Sequence, residues 1–233
     1  MTTKSATFTH QPARRQLNPE RLALIGGIIF SVLQIGSLIY FASLVFPEMG
    51  SPEATEQHLA FYTQHGEVLR LGNYLLMLPL PFFLLFLGGL YSVLHRAEGD
   101  NSTLTSGAIA SGAIFAILWP LSGVLNNIGI DIAQTGGDKA TIVALDAIGP
   151  YMLALSTLPR TVLLAATSVV LLRSQLTSRW LGWAGLGLAL VSLVGSATLI
   201  QAGLFPLLAI STLLFELWIL ALSAILLRTD LRS

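Results

Sequence analysis

Two ionisable side chains, Arg160 and Glu216, stand inside apolar runs long enough to cross a bilayer. Arg160 follows Pro159 within YMLALSTLPRTVLLAATSVVLL, residues 151–172, and Glu216 sits mid-way along the last apolar run. A charge at that depth costs about 2.5–3.5 kcal/mol on insertion scales, so each needs a partner or a chemical task. Arg160 precedes Arg173 by thirteen residues, and Glu216 precedes Arg228 by twelve. At about 1.5 Å per residue, both lie roughly 18–20 Å from one charged boundary, close to mid-membrane. Hydroxyls repeat around both charges. Ser156 and Thr167 stand at i−4 and i+7 from Arg160, and Thr212 and Ser223 stand at the same offsets from Glu216. Those offsets fall within about 40° on a helix, so each run carries one narrow polar stripe centred on its charge. Gln34 of the first apolar run lies at comparable depth.

Two chemistries fit this layer of Arg160, Glu216, Gln34, Ser156, Thr167, Thr212 and Ser223. One is a polar pathway or ligand site at mid-depth, with the arginine holding an anionic group. The other is an ion pair that neutralises itself and fixes helix register. The second is the preferred reading, because such a pair need not move anything. Either way, Arg160 and Glu216 are expected to face each other, directly or through a water. Pro81, Pro120 and Pro159 fall in three consecutive runs, near the middle of each. Discontinuous helices around a central site are a transporter feature. Prolines in membrane helices also occur as simple kinks that neighbouring helices repair.

Other chemistries are excluded by composition. The chain has no cysteine, which removes disulfides, thiolate metal sites and thiol redox chemistry together. His10 is in the N-terminal tail, His58 and His65 are in a polar connection, and His95 is at a span boundary. No histidine is mid-span, so neither a haem bundle nor an intramembrane Ser–His pair can be assembled. His58 and His65 with Glu56 or Glu67 match no specific metal motif and read as solvated loop residues. Gly185-Leu186-Gly187 inside an apolar run is packing, not a phosphate loop. No catalytic residue, metal or cofactor is expected.

The elements that position the layer follow from composition. The 233 residues are 54% hydrophobic and 10% charged, with formal net charge zero. Mean hydropathy is +0.75. That is a multi-pass, all-α membrane domain with lipid as its neighbour and no basic surface for nucleic acid. Residues 1–20 read as a polar tail, and 21–233 as one six-helix domain. The expected spans are 22–46, 69–94, 104–130, 151–172, 180–200 and 206–227. The Arg14-Arg15 pair resembles an export signal, but the run after it is too long for one and reads as the first span. Pro79 and Pro81 should bend the second span. In the third, Gly107, Ala108, Ser111, Gly112 and Ala116 permit close helix contact. Residues 140–150, ATIVALDAIGP, lead helically into the fourth. Between the first two spans, Ser51 reads as an N-cap followed by Pro52 and Glu53. This predicts a short helix over 52–65 lying at the outer interface.

Arginine and lysine set the orientation. With the N-terminus inside, nine fall on inner segments, and only Arg70 and Lys139 on outer ones. Both termini are then cytoplasmic. Trp180 and Trp183 form an inner aromatic belt. Four stretches, NYLLMLPLPFFLLFLGGLYSVLHRAEG, ALDAIGPYMLALSTLP, VLLAATSVVLLRSQLTSRWLGWAGL and LLFELWILALSAILLR, resemble an uncharacterised bacterial family of six-span integral membrane proteins. The resemblance implies a bacterial cytoplasmic-membrane location and supplies no activity or site residues. The expected role is non-enzymatic, structural or partner-binding in the bilayer. The alternative is a small permease or ion-coupled carrier using the Arg/Glu layer.

Overall fold

Apolar runs broken by short polar turns leave the backbone only one way to satisfy its hydrogen bonds in lipid, which is helix. The structure, a computed structural model, describes residues 19–49 and 55–230, and among these there is no strand. Six helical segments are long and apolar enough to cross a membrane: Pro19–Val45, Gly66–Glu98, Thr103–Gln134, Lys139–Ser174, Arg179–Leu199 and Phe205–Thr229. They are called spans 1 to 6. The fourth is the longest at 36 residues, because the expected lead-in is continuous with it.

Span 1 ends in a π-helical turn, Phe41–Val45. Span 2 is made of two helices, Gly66–Met77 and Leu80–Glu98, separated at Leu78 and Pro79. Proline has no N–H to donate, so the ladder breaks there. The Pro79 carbonyl nevertheless accepts from Phe82 and Phe83 at 3.0 and 3.1 Å, which carries the chain through the bend. Pro120, Pro150 and Pro159 stay inside continuous helices. The connecting helix is Thr55–Gln64. Its proposed cap at Ser51 and Pro52 lies outside the described residues. Phe61 and Tyr62 of this helix are buried, so it is docked onto the bundle.

Each span packs against the next, and span 6 returns to span 1, so the bundle closes as a ring. Spans 2 and 4 also touch. Side chains from spans 1, 2, 3 and 6 fill the middle. Phe83 lies 4.7 Å from Phe30, 5.5 Å from Phe115 and 6.5 Å from Phe215 between ring centroids. Phe115 and Phe215 meet edge-on at 5.4 Å. All four rings are at most 1% exposed. Large planar side chains at one level fill the centre that a ring of six helices would otherwise leave open.

The charges collect at the two ends. At one, Arg96 pairs with Glu20 through both terminal nitrogens. There, too, the Glu98 carboxylate caps span 3, accepting from the N–H groups of Leu104 and Thr105 at 3.0 and 2.8 Å. A carboxylate at a helix N-terminus satisfies donors that have no partner within the helix. At the opposite end, Arg70 pairs with Asp131 at 2.8 Å. Asp138 caps span 4 by accepting from the Thr141 N–H at 3.0 Å.

Candidate functional site

Span 4 places Arg160 at the centre of the ring with no exposure. The backbones of spans 4 and 6 are not closely apposed, so the arginine side chain bridges them. Nη1 donates to Thr212 Oγ1 at 2.8 Å, and Nη2 donates to Ser211 Oγ at 2.7 Å. Both hydroxyls in turn donate to the Leu208 carbonyl, at 2.8 Å from Ser211 and 3.0 Å from Thr212. Their protons are thus spent on their own helix, and their lone pairs face the guanidinium. Hydrogen bonds in series polarise one another, which strengthens this fork in a dry interior. The guanidinium carbon also sits 5.4 Å from the centre of the Phe215 ring. A cation over an aromatic face is worth about 2 kcal/mol or more when desolvated.

Glu216 is one turn beyond Thr212 on span 6 and 1% exposed. It and Arg160 both belong to the buried polar layer. They form no ion pair within 4.0 Å: the arginine fork is taken by the hydroxyls at 211 and 212, and Glu216 Oε2 has no protein partner. The other residues singled out above divide. Ser156 turns back to its own helix, donating to the Leu153 carbonyl at 2.6 Å. Gln34, Thr167 and Ser223 are all fully buried, and none of their side-chain polar atoms has a protein partner. Ser31 on span 1 and Ser192 on span 5 are in the same condition.

A second polar cluster joins the connecting helix to spans 3 and 4. His58 Nδ1 lies 2.8 Å from Asp146 Oδ2. The Tyr62 hydroxyl donates to Asp146 Oδ1 at 2.9 Å and lies 3.3 Å from Asn126 Oδ1. Asn73 of span 2 donates to Asn127 of span 3 at 2.9 Å. His58 is therefore no solvated loop residue. It is one turn from Tyr62 on the buried face of a helix, and that spacing is the signal available in the sequence. Among the described residues, no three His, Asp or Glu side chains converge as a metal site would require.

Tyr62 is fully buried. Burial first, then the charge of Asp146 and the hydrogen bond to it, hold the phenol well above its usual value of 10.0. The unfolded phenol loses its proton near about pH 10 while the folded one keeps it. This group therefore leaves stability unchanged below about pH 10 and lowers it as pH rises further, by up to about 1.4 kcal/mol per unit. Thermal melting of the purified protein should turn down above that pH. Tyr62→Phe should soften the alkaline fall while costing about 1 kcal/mol at neutral pH.

No family model, curated protein or solved structure matches this chain.

Proposed function

We propose that the chain is a non-enzymatic integral membrane protein that works by helix packing and contact within the bilayer. The observation that carries this reading is the setting of Arg160. The guanidinium is fully buried, fastened to span 6 and covered by Phe215 in a ring whose centre is filled by aromatic side chains. A solute carrier built on this charge would need an opening that reaches it. The proposed setting is a bacterial cytoplasmic membrane with both termini in the cytoplasm. The unequal distribution of arginine and lysine between the two ends supports that orientation.

Reconstitution in lipid vesicles tests the reading. Vesicles holding the protein should keep gradients of small anions, cations and protons as well as lipid alone does. A saturable leak that Arg160→Gln abolishes would replace this reading with the carrier. Single cysteines placed at Thr135 and Ser178 on the thiol-free chain report orientation in cells. Thr135→Cys should react with an impermeant reagent from outside and Ser178→Cys should not; the reverse pattern overturns the sidedness.

One observation favours the carrier as a second reading. Both amide atoms of Gln34 and Glu216 Oε2 are buried polar atoms without a protein partner. Native interiors seldom leave such atoms unused without a reason.

A further inference from the structure

Spans 1 and 6 are antiparallel neighbours, and one contact fixes their register. A Cβ at Gly27 would collide with Ser223 Oγ, so these two residues face each other at one level. Counting seven residues from each toward mid-membrane gives Gln34 on span 1 and Glu216 on span 6. Seven residues are two helical turns, about 10.5 Å, with only about 20° of drift around the axis. Gln34 and Glu216 therefore stand level with each other on facing stripes. Both are buried to within 1%. The amide has no protein partner at either atom, and the carboxylate has none at Oε2.

We propose that Glu216 is a proton-binding site inside the bundle, and that rotation of the Gln34 side chain, unpartnered in this structure, brings its amide into hydrogen bond with the carboxyl in either protonation state. Four arguments support the proton as the ligand. The first is size. Glu216 is only 1% exposed, and a proton needs no cavity to bind. The second is the chemistry of the partner. A primary amide offers N–H donors to a carboxylate and a carbonyl acceptor to a carboxylic acid, so one residue serves both forms after a side-chain rotation. The third is the position of Arg160. Its terminal nitrogens are held by Ser211 and Thr212, so its charge acts on Glu216 without clamping the carboxylate in a bidentate pair. The fourth is a line of hydroxyls. Ser31 lies one turn and Ser223 two turns from this level toward the end marked by Arg96 and Arg228, and neither hydroxyl has a protein partner. A hydroxyl both donates and accepts, as proton passage requires.

The step adds one proton to a carboxylate and gives a carboxylic acid. The Arg160–Glu216 layer then goes from neutral to a single positive charge. Spans 1 and 5 flank span 6, and among the described residues their titratable groups, Glu20, Arg21, Tyr40 and Arg179, stand at or near the helix ends. Among the described residues, Arg160 and Glu216 are the two buried charged side chains.

Infrared spectroscopy of the full-length protein in lipid, taken as pH is stepped between about 4 and 10, reads this directly. The expected result is a protonated-carboxyl C=O band that appears as pH falls and is missing in Glu216→Gln. Glu216→Asp, which keeps the carboxyl, should retain a titrating band at a displaced frequency, and it serves if the glutamine variant does not fold. In Gln34→Met the band should shift because its hydrogen bond is lost. No band specific to Glu216, or one that stays constant over the whole range, overturns the site. A band unaltered in Gln34→Met overturns the role of Gln34. None of these outcomes depends on whether the vesicles of the preceding test leak.

Discussion

Arg160→Leu is expected to destabilise the folded bundle by about 3–5 kcal/mol, the range for leaving a buried charge uncompensated. Glu216 would be left buried without the charge that balances it, and Ser211 and Thr212 would lose the donor their lone pairs face. Glu216→Leu should also destabilise. The guanidinium then keeps its hydroxyl fork and Phe215 but loses the opposing charge. Arg160→Leu/Glu216→Leu should recover much of either loss, since the double change leaves an apolar layer in an apolar setting. pH separates the two single variants. In Arg160→Leu the lone carboxylate can be neutralised by a proton, so its deficit should shrink as pH falls. In Glu216→Leu the guanidinium stays charged and no carboxyl remains to take a proton, so that variant's own stability should draw no pH dependence from this layer. Unfolding in mixed micelles, run as a double-mutant cycle at several pH values, measures both effects. Losses that simply add in the double variant would mean that the two charges have separate partners.

That Arg160 meets span 6 close to Glu216 was legible, because counting residues from the charged boundaries puts both at one level. What surrounds the charges was less so. Thr212 entered the stripe by its i−4 spacing from Glu216, but Ser211 is about 100° further round the helix and fell outside it. A guanidinium fork is wide enough to take two adjacent hydroxyls, and no periodicity reveals that. Nor does a stripe argument tell a hydroxyl that serves a neighbour from one that serves its own helix. Ser156 met the same spacing rule as Thr212 and turned back to the Leu153 carbonyl. The second cluster was hidden by sequence distance. Tyr62 and Asp146 are 84 residues apart, and an isolated acid in the lead-in to span 4 carries no mark of its partner. The span boundaries were easier, since each polar turn costs too much in lipid to lie anywhere but at an end. Span 4 starts at Lys139, in line with the helical lead-in expected over residues 140–150. Helix continues past the apolar run wherever a cap such as Asp138 starts it earlier.

The seam between spans 1 and 2 supports the second large prediction. Gly26 and Gly27 carry no mark of this role in the sequence, because helices that run outward from an inner arginine often open with small residues. A Cβ built at Gly26 would sit 2.8 Å from the Phe82 carbonyl oxygen and 3.3 Å from Leu85 Cβ. Across the same seam, a Cβ at Gly89 would sit 2.8 Å from Ala23 Cβ and 3.3 Å from the Leu24 nitrogen. Those atoms are backbone or Cβ, so none can swing aside by changing a rotamer. The two helices would have to separate, and every contact along the seam would loosen with them. Gly26→Ala and Gly89→Ala should therefore each cost about 1–3 kcal/mol, and Gly26→Leu more. Gly88 provides the control one residue away. A Cβ there meets nothing within 4 Å, so Gly88→Ala adds no clash and should gain about 0.5–1 kcal/mol from the reduced freedom of the unfolded chain. Adjacent glycines of one helix should thus respond with opposite signs in the same unfolding assay. If Gly88→Ala and Gly89→Ala change stability alike, the close approach of spans 1 and 2 is not what Gly89 provides.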